Sequence, residues 1–316
     1  MAIKHKRWLN MLVIALALML VSGCLFSSSL PGTTTFKTSY PLKLTDSCGR
    51  DVVIQQEPQT VTVLNSWEND FMDTIGAGHK SKPFMGGTGP SIEAMLNEIK
   101  AEKTDLVLID WRREIDAEIS CTITGKLARN GVAVYAADHT TIPKVIQEMK
   151  QIGKMLNQSQ IADNASNRLT QALQKMRDAL NASGPKTVFW EIQVNEGDDG
   201  APKYSTIVPK SLEQSILTEA GGSNIAANEE PFIPGQVRIN DDFIQSADPH
   251  YILISDYEAL NNRNYISVFE RDRWKNIKAV RENRVLSLPP SFGSPSTLHD
   301  DILLLVKFLY QERLVE

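Results

Sequence analysis

The stretch LVLIDWRREIDAEISCTITGKLARNGVAVY, residues 106–135, decides the fold. Leu106-Val107-Leu108-Ile109 is apolar at every position, as a parallel strand covered on both faces requires. Glu114 to Arg129 then reads as a helix, and Val132-Ala133-Val134-Tyr135 as the next strand. Upstream the same alternation holds. Val61-Thr62-Val63-Leu64 reads as a strand, and Glu68 to Ile75 as a helix closed by Gly76-Ala77-Gly78. Ser91 to Lys100 reads as a second helix, with Ile92, Met95, Leu96 and Ile99 on one face. Strand and helix alternate over residues 60–140, which predicts an α/β lobe with a mostly parallel sheet. Before it, Leu42 to Thr45 and Val52 to Ile54 flank Asp46-Ser47-Cys48-Gly49-Arg50, a hairpin with Gly in its turn.

Residues 141–182 break this rhythm. Thr141 caps a helix with Pro143 in its first turn, and Ile142, Val145, Met149, Ile152 and Leu156 form its apolar stripe. Asn157-Gln158-Ser159 is a break. The helical pattern beyond it carries Ala165, Leu169, Ala172, Leu173, Met176 and Leu180 on one face and reaches about 33 Å at ~1.5 Å per residue. After Gly184-Pro185 the strand–helix rhythm resumes, with strands at 187–192, 251–255 and 284–288 and helices at 211–220 and 296–314. The predicted class is therefore α/β: two lobes with mostly parallel central sheets, residues 40–157 and 183–316, joined by a long interlobe α-helix, residues 158–182.

At 316 residues the chain can bury two such lobes. Its 33 basic and 38 acidic residues give a net charge of -5, which argues against nucleic acid as a partner. The N-terminus carries an address. Lys4, Lys6 and Arg7 precede an apolar core from Leu9 to Val21, and Leu20-Val21-Ser22-Gly23-Cys24 places small residues directly before a cysteine. That resembles the bacterial lipobox, in which residues 1–23 are a lipoprotein signal peptide and Cys24 is lipidated. Several acyl chains on Cys24 suffice for stable anchoring on the extracytoplasmic face of the cell membrane. Residues 24–39 are the lipidated tether, rich in Ser, Thr, Gly and Pro. Loss of residues 1–23 removes three basic residues and leaves the mature chain near -8. An exported chain admits a disulfide between Cys48 and Cys121, and two buried free thiols fit the same spacing.

An ordered series of short motifs resembles the binding proteins of ATP-driven (ABC) importers for iron–siderophore, haem and cobalamin, the class with a rigid interlobe helix. Thr45-Asp46-Ser47-Cys48-Gly49-Arg50 with Val52 to Ile54 is similar to that family's T-D-x-x-G-R-x-V-x-I opening. Ile92-Glu93-Ala94-Met95 through Lys103-Thr104-Asp105-Leu106-Val107 is similar to its N-x-E-x-[IL]…K-P-D-L-V segment. Ala220-Gly221-Gly222-Ser223-Asn224, Ala247-Asp248-Pro249, and Trp274 through Val285 resemble its later pieces. Thr104 and His250 depart from the family pattern, as does the acidic, Gly-rich loop 194–202.

The resemblance implies a monomeric, non-enzymatic lipoprotein that captures a metal chelate between its lobes and delivers it to an ABC permease. Iron–siderophore is the expected cargo, with a corrinoid or haem as alternatives, and no cofactor is implied. Sites in such folds lie at the carboxyl ends of strands. In the first lobe this selects Asn65, Ser66, Trp67, Glu68, Trp111, Arg112, Arg113, Asp138 and His139. In the second it selects Glu191, Tyr204, Phe232, Gln236, Asp256, Tyr257, Ser291 and Phe292. Aromatic rings suit the organic face of a chelate, and Arg112 and Arg113 suit carboxylate or catecholate oxygens. Glu93 and Asp242 are the implied docking carboxylates, one per lobe, for arginines of the permease.

Other readings have less support. No G-x-S-x-G, H-E-x-x-H or P-loop sequence is present, and Gly86-Gly87-Thr88-Gly89 reads as a turn. A bare metal ion would need His clusters; His79, His139, His250 and His299 are scattered, with His139 and His299 the pair able to meet across the cleft. A non-transport surface lipoprotein, an adhesin or sensor, would use the same fold without the permease.

Overall fold

The computed structural model describes residues 37–85, 91–180, 184–196, 202–231, 237–255 and 266–310. The signal segment, Cys24, most of the tether, the Gly86–Gly89 turn, the tip of the acidic loop, and Phe232, Gln236, Asp256 and Tyr257 lie outside the described residues. Among the described residues no helix is long and apolar enough to cross a membrane.

The chain opens with the expected hairpin, β1 (Leu42–Thr45) paired antiparallel with β2 (Asp51–Ile54). Its turn is organised by one carboxylate. Asp46 accepts the amides of Cys48 and Arg50 at 3.0 and 2.9 Å, and the Arg50 guanidinium folds back onto it at 2.6 Å. Gly49 has φ +75, a conformation that strains any residue with a Cβ. The Ser47 amide donates to the Ala136 carbonyl, and a Cys48–Cys121 disulfide joins the turn to the helix bearing Cys121.

The first sheet has β3 (Val61–Val63), β4 (Ser81–Pro83), β5 (Leu106–Trp111) and β6 (Val134–Asp138) in the order β4-β3-β5-β6, every pair parallel. The helices around it are α1 (Ser66–Thr74), α2 (Ile92–Ala101), α3 (Ala117–Arg129) and α4 (Ile142–Met155). Three of them start on a side-chain cap: Asn65 for α1, Ser91 for α2, and Thr141, followed by Pro143, for α4. The chain breaks at Asn157, which takes φ +59, and continues as α5 (Ser159–Leu180). A Cβ on Gly153 would lie 2.2 Å from that of Ala162, so glycine is what lets α4 and α5 approach closely.

The second sheet is more mixed than the sequence predicts. It contains β7 (Lys186–Glu196), β8 (Pro202–Thr206), β9 (Gly222–Asn224), β10 (Val237–Asn240), β11 (Tyr251–Ser255) and β12 (Val285–Leu288). β7, β11 and β12 are parallel neighbours and β9 adds to β7 in parallel, whereas β8 and β10 extend the other side antiparallel. Around it stand α6 (Leu212–Glu219), α7 (Asp241–Ala247), α8 (Lys278–Arg281) and α9 (Leu298–Leu309). One apolar cluster runs from Val63 and Leu108 through Met149, Leu169, Leu173 and Met176 to Trp190, Leu253 and Leu305. The buried stripe of α5 is thus shared by both lobes, which makes it a packed strut rather than a solvent-spanning linker.

Candidate functional site

Three strand ends of the first sheet meet beside the second lobe. α1 begins directly after β3, and Asn65 does two jobs there. Its Oδ1 accepts the Glu68 amide and its Nδ2 donates to Asp110 Oδ1, both at 2.9 Å. His139, just past β6, turns Nδ1 toward Asp110 Oδ2 at 3.4 Å. Its ring lies against both Trp67 and Phe71, with centroids 4.6 and 4.8 Å away, and those two rings stack on each other at 5.7 Å. The Arg112 guanidinium lies over the Trp67 ring at 5.6 Å.

This cluster is sealed from water: Glu68 is 3% exposed and His139 1%. Burial, reinforced by the Asp110 charge, pushes the Glu68 carboxyl well above its usual range. Burial opposes Asp110 in the same way, but hydrogen bonding and charge from His139, with Arg112 and Asn65, outweigh it and hold that carboxyl below its usual value. Behind His139, burial also raises Glu148, which accepts hydrogen bonds from Ser47 at 3.0 Å and Tyr135 at 2.9 Å.

The two lobes are stitched together along this edge. The Leu212 amide donates to the Arg112 carbonyl at 2.8 Å, and the Glu114 amide to the Lys210 carbonyl at 3.0 Å. The Ile142 amide reaches Ser215 Oγ at 3.0 Å, and the Ser296 amide Asp70 Oδ2 at 2.9 Å. The Trp67 indole N–H donates to the Gly293 carbonyl at 2.8 Å, joining residues 226 positions apart.

Of the first-lobe candidates, Trp67, Arg112 and His139 are brought together. Arg112 is half-buried, and among the described residues no carboxylate makes an ion pair with it. Ser66 is exposed at the start of α1. Trp111 is 5% exposed at the end of β5, so its ring belongs to the packed interior. Arg113 forks onto Asp116 at 2.7 and 3.2 Å, and Asp138 holds Lys144 at 2.6 Å.

In the second lobe Glu191 and Tyr204 serve an internal cluster. Glu191 takes both arms of Arg271, at 2.5 and 2.9 Å, with both side chains buried. That guanidinium stacks on Trp274 at 4.3 Å and Tyr204 at 5.1 Å, and Trp274 donates to Asp241 at 2.6 Å. The sequence reading missed Arg271. Its signal was an arginine three residues before a tryptophan that the family resemblance had already marked. Phe292 is half-buried edge-on to Trp190 at 5.4 Å, and Ser291 is exposed.

The histidines are not assembled. His250 meets Thr187 at 2.5 Å, His299 meets Asp300 at 2.8 Å, and His79 is exposed. Among the described residues no three His, Cys, Asp or Glu side chains are grouped to hold a metal ion. A cavity of about 410 Å³ lies elsewhere, between α5 and the start of α9, lined by Arg168, Lys175, Met149 and His299, and among the described residues none of the other cleft candidates lines it. Glu93 and Asp242 are both exposed in the first turn of their helices, and Asp242 is engaged by Arg273.

The profile of a family described as periplasmic binding protein matches residues 105–292, from the start of β5 to Phe292. The chain belongs to that family. An uncharacterized ABC transporter substrate-binding lipoprotein of Bacillus subtilis, YvrC, is 21% identical over 272 residues, covering 81% of each chain. Among solved structures, Helicobacter pylori CeuE in a Ni–His complex is similar with TM-score 0.65 and 16% identity, covering 86% of this chain and 89% of its own. The vitamin B12 binding protein BtuF of Vibrio cholerae gives TM-score 0.61 at 16% identity, covering 80% of this chain and 96% of its own. At such identities the likeness of the periplasmic binding proteins is one of fold.

Proposed function

We propose that this periplasmic binding protein is the substrate-binding lipoprotein of an ABC importer, which captures a metal chelate of the iron–siderophore type between its lobes and hands it to the permease. The observation that carries the reading is Arg112: a half-buried guanidinium on an aromatic face, at the seam between lobes, with no ion-pair partner among the described residues. Such a group suits an anionic, partly flat organic ligand. Glu93 and Asp242 serve as the docking carboxylates, and Cys24 carries the lipid that holds the protein on the outer face of the cell membrane. The similarity to the B. subtilis lipoprotein supports the anchor.

The test is a tryptophan-fluorescence titration of the full chain against ferric siderophores, cobalamin, haem, nickel–histidine and free divalent metals. Saturable one-to-one quenching by one ferric siderophore is the expected result. Arg112→Gln should weaken it roughly 10- to 100-fold, the ~1.5–3 kcal/mol of a charge-assisted hydrogen bond. A response to cobalamin or haem alone replaces the cargo. A response to free metal alone, or silence throughout, overturns the chelate reading.

A further inference from the structure

We propose that Glu68, Asp110 and His139 form a buried proton-holding unit that positions Trp67 and Arg112, and that loss of its proton loosens the cross-lobe bond from Trp67 to Gly293. The inference rests on the reading of this seam as the cargo site, and it concerns how that site is held.

Asn65 is oriented by the Glu68 amide, so its Nδ2 must donate, and Asp110 Oδ1 must accept. Asp110 Oδ2 faces His139 Nδ1 at 3.4 Å and accepts from it when that nitrogen carries the ring proton, the arrangement that agrees with the lowering of the Asp110 carboxyl by His139. Asp110 is therefore the ionised member. Glu68 Oε2 accepts the Leu64 amide. Glu68 Oε1 is left buried with no partner among the described residues, as is His139 Nε2. Two carboxylates in one sealed site do not ionise together, so Oε1 is where the proton resides. The high charge state of Glu68 is disfavoured by its burial as well.

Removing that proton leaves a second buried anion whose Oε1 has no donor among the described residues. The groups around it are few. Arg112 comes from the end of β5, Glu148 and Tyr135 lie behind His139, Asp46 stands beyond Tyr135, and Asp138 is neutralised by Lys144. Arg112, whose charge already bears on Asp110, is the cation placed to answer a new charge, and turning inward takes it off the Trp67 face. Trp67 then loses its cation, while the His139 ring beneath it faces a changed field. The indole bond to Gly293 reports both.

The experiment uses the mature chain, residues 24–316, with 15N-labelled tryptophan, whose four indole signals include one that vanishes in Trp67→Phe. The pH is stepped from about 5 to about 9, the span that buried carboxyls reach. In the wild type the Trp67 indole resonance should move through one titration step. In Glu68→Gln, which keeps the neutral shape, it should hold its low-pH position throughout. In His139→Gln the midpoint should move. A Trp67 signal flat with pH in the wild type overturns the inference without any variant, and so does an unchanged step in whichever of the two variants folds. Because no cargo is added, failure here is separate from failure of the chelate titration. A clear step in a protein that binds nothing from the panel keeps the proton unit and rejects the cargo.

Discussion

Glu191 offers a decisive test of burial reasoning, because its position at a strand end points to cargo while its surroundings point to architecture. Arg271→Met removes both hydrogen bonds to a carboxylate that is 1% exposed, and the stacking of the guanidinium on Trp274 and Tyr204. Stripping one partner from a buried pair costs about 3–5 kcal/mol, and the lost cation–π contact, about 1 kcal/mol more, puts this site at the upper end. At ~2–4 °C per kcal/mol for a chain of this size, Tm should fall by roughly 10–20 °C. The double variant Glu191→Leu/Arg271→Met has no uncompensated charge and should recover at least half of the loss. Urea unfolding followed by circular dichroism measures all three chains, and the siderophore titration runs in parallel. A loss below about 1 kcal/mol in Arg271→Met, or weakened cargo binding in Glu191→Gln at unchanged stability, would refute the assignment and return Glu191 to the cleft.

Three further outcomes are expected. Reducing the Cys48–Cys121 bond, or replacing both residues by Ala, reopens a loop spanning 73 positions and should lower unfolding stability by about 4 kcal/mol on chain-entropy grounds, read by urea midpoints with and without reductant. Glu148→Gln should flatten the pH dependence of Tm. Burial raises this carboxyl in the folded chain, so its contribution is present below the ordinary carboxylate range and fades as pH climbs through the raised folded value. A scan of Tm at acid and neutral pH in wild type and variant checks the sign. Gly153→Ala drives a methyl into Ala162 and should cost about 1–3 kcal/mol by overpacking, whereas Gly131→Ala, with open space around it, should show only the penalty of its φ of +81; differential scanning calorimetry compares the two.

Elements whose signal is local were legible in the sequence. The apolar run at 106–109 becomes a doubly covered strand, Thr141 and Pro143 start α4, and Asn157 ends it. β8 was not legible, because Pro202-Lys203-Tyr204-Ser205-Thr206 has no apolar run. β10 alternates buried and exposed over only four residues, too short to stand out from a loop. The site divides the same way. Strand-end position anticipated that Trp67, Arg112 and His139 lie together, because chain topology places them. It could not tell that Trp111 faces the interior or that Glu191 answers Arg271, 80 residues on, since those facts depend on which way a side chain points once the sheet is packed. The Trp67–Gly293 bond links opposite ends of the chain, and no local pattern announces it.

If the seam is the cargo site, as proposed, it also says how cargo would be held. Arg112 is fixed at its backbone by the Leu212 amide and at its side chain by the Trp67 face, and Trp67 is fixed by Gly293. Each of those links crosses between lobes or bears on one that does. A ligand that needed the lobes to open widely would have to break several hydrogen bonds and pull apart the apolar cluster shared through α5. A ligand that enters beside Arg112 breaks none of them. Affinity then comes from a guanidinium already placed and already partly desolvated, and little ordering entropy remains to be lost on binding. A rigid seam therefore ties selectivity to the shape of the strand-end loops, and it concentrates the adjustable part of the site in the charge state of the few buried groups beneath Trp67.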